Sequence, residues 1–295
     1  MHQLKLGEYH VGRIADLQFP AFPAREFLPA STDEMVAEAQ RLLPGRITPD
    51  GKIIMSFHSF VLRTGRYTIM VDTCCGADKP RPGREQFNVG RLDYLGQLAA
   101  LGVKPEEVTH VMCTHLHWDH VGWNTRLLNG QWVPTFPNAK YIMAKREYDY
   151  WDGVYQKEKG KQDNMHALSF EDSVLPIVRA EKAVLVADDY ELDKGISIEP
   201  CHGHSPGHVV INVISSGARG VFIGDIIHHP MQLLFPDLSC RADFDMDASR
   251  ISRKALIEKH ADTGTIVLPQ HFATPSCGTI EREGNAFSFD FVAGS

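Results

Sequence analysis

The stretch Thr114-His115-Leu116-His117-Trp118-Asp119-His120-Val121-Gly122 sets three imidazoles and a carboxylate within six residues. Imidazole nitrogen and carboxylate oxygen are the usual donors for Zn2+ and other borderline divalent ions. Alternation along an extended chain turns His115 and His117 to one side, while Asp119 and His120 fall where the chain bends away. Four donors this close cannot all reach one tetrahedral ion without strain, so the spacing predicts two adjacent ion sites. A His-rich surface loop that holds no ion is the competing reading, and the length of the H-x-H-x-D-H string argues against it. An apolar run, Val108 to Met112, precedes the donors and reads as a buried strand. The end of a rigid strand is where an α/β protein commonly presents chemistry.

More donors lie along the chain. Val71-Asp72-Thr73 puts an Asp at a strand end, and Gly203-His204-Ser205-Pro206-Gly207-His208 reads as a His-bearing turn. Gly224-Asp225 follows another strand, and Gln270-His271 follows a late one. Together with the H-x-H-x-D-H string, the order and approximate spacing of these motifs over residues 50 to 275 resemble the metallo-β-lactamase superfamily of hydrolases. The resemblance implies that family's αβ/βα sandwich of two mixed β-sheets flanked by helices. Alternation and helical spacing alone give only an α/β class.

The resemblance also implies a centre of two divalent metal ions. His115, His117 and His204 would hold one, Asp119, His120 and His271 the other, and Asp225 would bridge both. Asp72 would orient the centre by accepting hydrogen bonds instead of binding metal. Zn2+ is the expected ion, with Fe, Mn or Co as alternatives. The implied reaction is the opening of a lactone or carboxylic ester by a metal-bridging hydroxide. Asp119 or a metal would assist the leaving alkoxide. No G-x-S-x-G elbow competes with this reading.

Two positions depart from the family's pattern. His202 stands where the family more often has Pro; the alignment keeps His204 as ligand and gives His208 a supporting place. N-acyl homoserine lactonases of the superfamily typically carry a Tyr three residues beyond the bridging Asp, and this chain has His228 there. An imidazole can donate to a carbonyl or a developing oxyanion, so His228 joins Asp119 as a candidate catalytic residue. The Gly-Asp-x-x-His form resembles a wider set of relatives that includes organophosphate hydrolases, and phosphotriester hydrolysis is the alternative function. Asp225 disfavours a β-lactamase. His117, where flavodiiron relatives have Glu, disfavours an iron-dependent oxidoreductase.

Composition narrows the partners. The 295 residues are 43% hydrophobic and 23% charged with a net charge of −7, which suits a soluble globular protein and argues against a nucleic-acid partner. No run of eighteen apolar residues marks a membrane span, and Met1-His2-Gln3-Leu4-Lys5 lacks the start of a signal peptide. Six cysteines without C-x-x-C spacing read as small buried hydrophobes, reduced in a cytoplasmic protein. Trp118, Trp123, Met231, Leu233, Leu234, Phe235 and Phe272 near the motifs point to a neutral, partly apolar small substrate.

The elements that position these residues read as one domain over 1–295, with a helical insertion at about 20–48. That insertion would cover the site or form a homodimer contact. Its helix is predicted from Ser31 to Leu43, capped at Ser31 or Thr32, with Met35, Ala39 and Leu42 on one side. Phe19 to Pro23 is expected to end the opening strands, because two prolines lack ladder donors. Leu92, Leu95 and Ala99 form an expected helix face, and residues 130–137 an expected loop. Residues 151–165 are a candidate lid. Asp247 is expected to cap a helix through His260 with Ile251 and Ala255 turned inward.

Overall fold

The computed structural model describes residues 3–88, 92–284 and 286–293. Met1 and His2, at the head of the stretch read above for a leader, lie outside the described residues. The fold is mixed α/β with two seven-stranded sheets, a two-stranded hairpin and helices. Internal contacts divide the chain into two compact units, residues 1–17 with 57–190 and residues 18–56 with 191–295. No helix among the described residues is long and apolar enough to cross a membrane.

The first sheet runs in the order Gln3–Leu6, Tyr9–Pro23, Lys52–Arg63, Thr68–Val71, His110–Met112, Lys140–Ala144 and Ala183–Val186. Its last four strands are parallel. Val61, Met70, Val111 and Tyr141 from the strands meet Leu98 and Phe170 from helices in the first unit's core. The strand Tyr9–Pro23 carries Pro20 and Pro23, against expectation. Its register with Gln3–Leu6 covers Tyr9 to Gly12, and the two prolines lie beyond it, at the far end of the strand.

Three further readings are corrected in this unit. The helix at this point is Tyr94–Ala100, capped by Asp93, whose side chain accepts from the Gly96 N–H. It starts after Leu92, which stays 48% exposed; Tyr94 and Leu98 are its buried residues, Leu95 packs half-buried against the same core as expected, and Ala99 faces out. Residues 130–137 are no loop: Thr125–Leu128 and Gln131–Pro134 pair antiparallel. Asn129 and Gly130 supply the two positive φ angles, 50° and 77°, that a tight hairpin of this hand requires.

One helical stretch in the first unit contains a wider turn. Helices Met165–Ser169 and Leu175–Arg179 flank a π turn, Phe170–Val174. Pro176 has no N–H to offer the carbonyl four residues back. That carbonyl, of Asp172, accepts from Thr125 Oγ1 at 2.5 Å and Lys79 Nζ at 3.3 Å instead. The Asp172 carboxylate takes both Arg81 Nη atoms at 2.7 and 2.9 Å, and Lys79 also lies 3.7 Å over the Trp132 ring. Burial pulls the Lys79 amine down to about 8, with the Asp172 charge opposing the shift.

The second sheet runs Glu191–Asp193, Ile196–Pro200, Val209–Ser215, Ala218–Phe222, Ile266–Leu268, Gly278–Glu283 and Ala286–Phe291. Ala218–Phe222 and Ile266–Leu268 are its parallel pair. Val221, Ile223, Val267 and Phe272 pack with Leu256 and Ile257 of helix Met246–His260 in the second unit's core. Asp245, two residues before the expected Asp247, caps that helix by accepting from Asp247 and Ala248 N–H. The inward face is Ser249, Arg253, Leu256 and Ile257; Ile251 is 66% exposed.

The expected insertion helix is present as Asp33–Leu42, with the Thr32 side chain accepting from the Met35 N–H. It buries Val36 and Ala39 and leaves Leu42 outside. A shorter helical turn, Ala24–Phe27, precedes it.

Candidate metal centre

Every candidate donor follows the C-terminal end of a strand. Asp72 comes after Thr68–Val71, and residues 113–120 come after His110–Met112. His204 lies in the turn after Ile196–Pro200, Asp225 after Ala218–Phe222, and His271 after Ile266–Leu268. In parallel α/β sheets this end of the strands is the usual place for chemistry.

In the first unit the structure brings His115, His117 and His120 together. The His115 ring centroid is 4.5 Å from that of His117 and 4.1 Å from that of His120. All three rings are buried, and Asp119 is half-buried. Asp72, held at φ +53°, accepts from the Thr114 N–H at 2.8 Å and the Thr114 hydroxyl at 2.8 Å. Its Oδ2 also meets His120 Nδ1 at 2.9 Å. These are the accepted hydrogen bonds expected of it. The donor loop is tied to the loop after Asp72 by Thr73 N–H to His120 O at 2.6 Å and Gly122 N–H to Cys74 O at 2.7 Å. A Cβ on Gly122 would stand 2.0 Å from the Cys75 carbonyl, so only glycine fits there.

A supporting residue on the next helix escaped sequence reasoning. Glu147, buried on helix Lys145–Glu158, accepts the Leu116 N–H at 3.0 Å and the Trp151 Nε1–H at 2.7 Å through one oxygen. Trp118 packs edge-on against Phe87, with centroids 4.8 Å apart.

In the second unit three imidazoles converge on one oxygen. Asp225 Oδ2 lies 3.0 Å from His271 Nε2, 3.3 Å from His228 Nε2 and 3.4 Å from His204 Nε2. In two of them the other ring nitrogen is engaged elsewhere: His204 Nδ1 by Asp243 Oδ1 at 2.9 Å, and His271 Nδ1 by the Ser56 carbonyl at 3.0 Å. Asp243 was not read from the sequence. Its second oxygen accepts the Cys240 N–H at 2.9 Å. Burial opposes ionisation of Asp243, yet the His204 hydrogen bond and nearby charges hold its carboxyl below the ordinary range.

The two histidines that surround the turn motif have separate places. His208 Nε2 accepts the Asp225 N–H at 3.0 Å while its Nδ1 meets the Cys201 carbonyl at 3.0 Å, so it is the neutral Nδ1–H tautomer and fixes the backbone of Asp225. His202 is half-buried, with Nδ1 3.2 Å from the His208 carbonyl. Gly203 has φ +129°, and a Cβ there would fall 2.1 Å from Ser249 N, which explains a glycine beside His204.

Beyond His228, His229 turns away from the donors. Its Nε2 meets the Arg46 carbonyl at 3.1 Å, its Nδ1 accepts from the Met231 N–H at 3.2 Å, and burial lowers it to about 4. Met231, Leu233 and Phe272, expected near an apolar cleft, are fully buried. All six cysteines are buried and outside any disulfide, as expected of small hydrophobes.

The donors fit divalent metal. In His120, His204 and His271 the Nδ1 atom is held by a carboxylate or a carbonyl, which leaves Nε2 as the ligating nitrogen and fixes its tautomer. The negative charge of the buried Asp225 and Asp243 carboxylates among these imidazoles is what a dication would balance.

The sequence profile of the Metallo-beta-lactamase superfamily matches residues 58–271, and the chain belongs to that family. An N-acyl homoserine lactonase of Bacillus cereus is 27% identical over 161 residues, which are 55% of this chain and 54% of that protein. The N-acyl homoserine lactonase AttM of Azorhizobium caulinodans is 41% identical over 56 residues, 19% of this chain and 18% of its own. The chain thus spans about half or less of the length of these curated relatives. Among solved structures, AidC, a dizinc quorum-quenching lactonase in complex with a product, is 23% identical with a TM-score of 0.80, covering 99% of this chain and 97% of that one. The hydrolase AbOPH of the beta lactamase superfamily is 22% identical with a TM-score of 0.85, covering 100% and 98%. These two likenesses show the fold.

Proposed function

We propose that this protein is a metal-dependent hydrolase that opens a lactone or a simple carboxylic ester. The observation that carries the reading is the convergence of His204, His228 and His271 on Asp225 Oδ2. Sequence likeness to N-acyl homoserine lactonases turns it toward lactones. The metal ligands in this reading are His115, His117 and His204 for one ion and Asp119, His120 and His271 for a second, with Asp225 shared. Divalent ions, Zn2+ first among them, acidify a bound water and polarise a carbonyl when present.

The chain's own residues supply the rest. Asp72, Asp243 and the Ser56 carbonyl hold three imidazoles in one tautomer. His228, kept neutral by burial against the opposing pull of Asp225, offers a hydrogen bond to the carbonyl oxygen as it becomes an oxyanion. Water oxygen bonds to the carbonyl carbon, the acyl C–O bond breaks, and the leaving alkoxide takes a proton through half-buried Asp119. Phosphotriester hydrolysis is the second reading, favoured by His228 at the third position after Asp225.

A panel of lactones, aryl esters, phosphotriesters and a β-lactam, assayed with metal content measured on the same sample, tests this. Lactone or ester turnover that disappears on chelation and returns with Zn2+ is expected. Undiminished turnover after exhaustive chelation, or a metal-loaded protein inert to every ester and lactone, overturns the reading.

A further inference from the structure

His228 is anchored through its backbone, not through its ring. Its N–H donates to Gln232 Oε1 at 2.8 Å, and Gln232 is itself held by the Leu238 carbonyl at 2.9 Å. Neither ring nitrogen makes a well-formed hydrogen bond to a described residue. Apart from the 3.3 Å approach of Nε2 to Asp225 Oδ2, packing sets the angle of the imidazole. Its ring neighbours are His204 at 4.8 Å, His271 stacked at 5.7 Å and 5°, and Phe27, which meets it edge-on at 5.3 Å and 79°. The two histidines belong to the donor set; Phe27 comes from the N-terminal insertion.

Phe27 is fixed in its turn from a second loop. Phe22 stacks on it at 5.2 Å and 7°, and the Arg241 guanidinium lies 5.1 Å over the Phe22 ring. Arg241 also pairs with Glu26 and donates its backbone N–H to the Phe27 carbonyl at 2.9 Å. Two residues further on, Asp243 holds His204 Nδ1. One short loop thus ties down both the insertion turn and a proposed metal ligand.

We infer that Phe27 is a positioning residue for His228: the Ala24–Phe27 turn, locked by Arg241, sets the angle at which that imidazole meets the substrate carbonyl. The insertion is therefore part of the catalytic apparatus, where the sequence left open a cover or a dimer contact. This rests on the hydrolase reading above.

A kinetic double-mutant cycle on the zinc-loaded protein with a lactone it turns over provides the test. His228→Ala should lower kcat about 100-fold, as loss of an oxyanion donor does. Phe27→Ala should lower kcat about tenfold or more, with KM moving far less, and should cost nothing further when added to His228→Ala. Phe27→Leu, which restores apolar bulk, should recover part of the loss. Arg241→Ala should lower kcat in the same direction by a smaller factor. Metal content should stay at the wild-type level in all of them, and the His228 ring resonances should shift in Phe27→Ala. If Phe27→Ala does not fold, the leucine and Arg241 variants complete the same cycle. A full Phe27 penalty that persists in the His228→Ala background, or a kcat loss that only mirrors lost metal, overturns the inference. A metal-loaded wild type that opens no lactone or ester overturns the hydrolase reading itself, and this inference with it.

Discussion

Asp243→Asn separates orientation from shape. The carboxylate uses both oxygens, one toward His204 Nδ1 and one toward the Cys240 N–H, each at 2.9 Å. An asparagine has the same outline but one acceptor and one donor group. With its oxygen toward Cys240, its NH2 faces His204 Nδ1, which must then accept, and the ring proton moves to Nε2. That nitrogen can no longer ligate. Turned the other way, the NH2 faces the buried Cys240 N–H, two donors head-on, at a cost of about 1–3 kcal/mol. Either outcome weakens the centre. Loss of such a supporting carboxylate typically costs about 10–100-fold in metal affinity, or about 1.4–2.7 kcal/mol. The assay is zinc retention against a graded series of chelators, read by mass spectrometry on wild type, Asp243→Asn and Asp243→Ala. Asn should lose at least as much affinity as Ala despite its better fit, because Ala leaves the ring free to choose its tautomer. Wild-type zinc affinity in Asp243→Asn would refute the reasoning.

Other expectations follow from the same geometry. His117→Ala and Asp225→Ala should each remove most bound metal and activity together, whereas Cys113→Ser, at a buried thiol, should spare both; full activity in Asp225→Ala would end the two-ion reading. Gly122→Ala drives a Cβ to 2.0 Å from the Cys75 carbonyl and should destabilise the fold by several kcal/mol, roughly 3 or more, measured by urea denaturation. His229 titrates near 4 in the folded protein against 6.5 in the open chain, so below about pH 6.5 the unfolded state takes up a proton that the folded state refuses. Its contribution to stability is complete above that pH and shrinks by roughly 3 kcal/mol as pH falls to about 4. His229→Gln, which keeps a donor and an acceptor, should flatten the denaturation free energy over that window; an unchanged slope would show that this ring is not the group responsible.

The first half of the donor set was legible because its members sit side by side: His115, His117, Asp119 and His120 announce themselves by spacing. Their supports were not. Asp243 lies 39 residues from His204, and Glu147 lies 31 residues from Leu116, so only the folded chain pairs them. In Asp243-Phe244-Asp245-Met246-Asp247 three alternating carboxylates compete for the cap, and spacing cannot rank them. The same helix misled on its face. Arg253 is buried because Pro236, Ile226 and Ser239 each offer it an oxygen, while Ile251, the better hydrophobe, is outside. The hairpin at Asn129-Gly130 was a different failure, since that dipeptide between apolar runs is itself a turn signal.

Each compact unit is assembled from two separated lengths of chain, residues 1–17 with 57–190 and 18–56 with 191–295. During synthesis the first can close once residue 190 has emerged, with 18–56 waiting as an unfinished loop. The second must hold that loop in reserve until the strands ending at Phe291 arrive. A ribosome moving at roughly 5–20 residues per second leaves the waiting segment without its last partners for about 10–50 seconds. Neither compact unit can therefore be excised as one continuous fragment. Splitting the gene ahead of residue 57 would sever residues 18–56 from the rest of their unit, and Phe27 from His228, whose ring it meets edge-on.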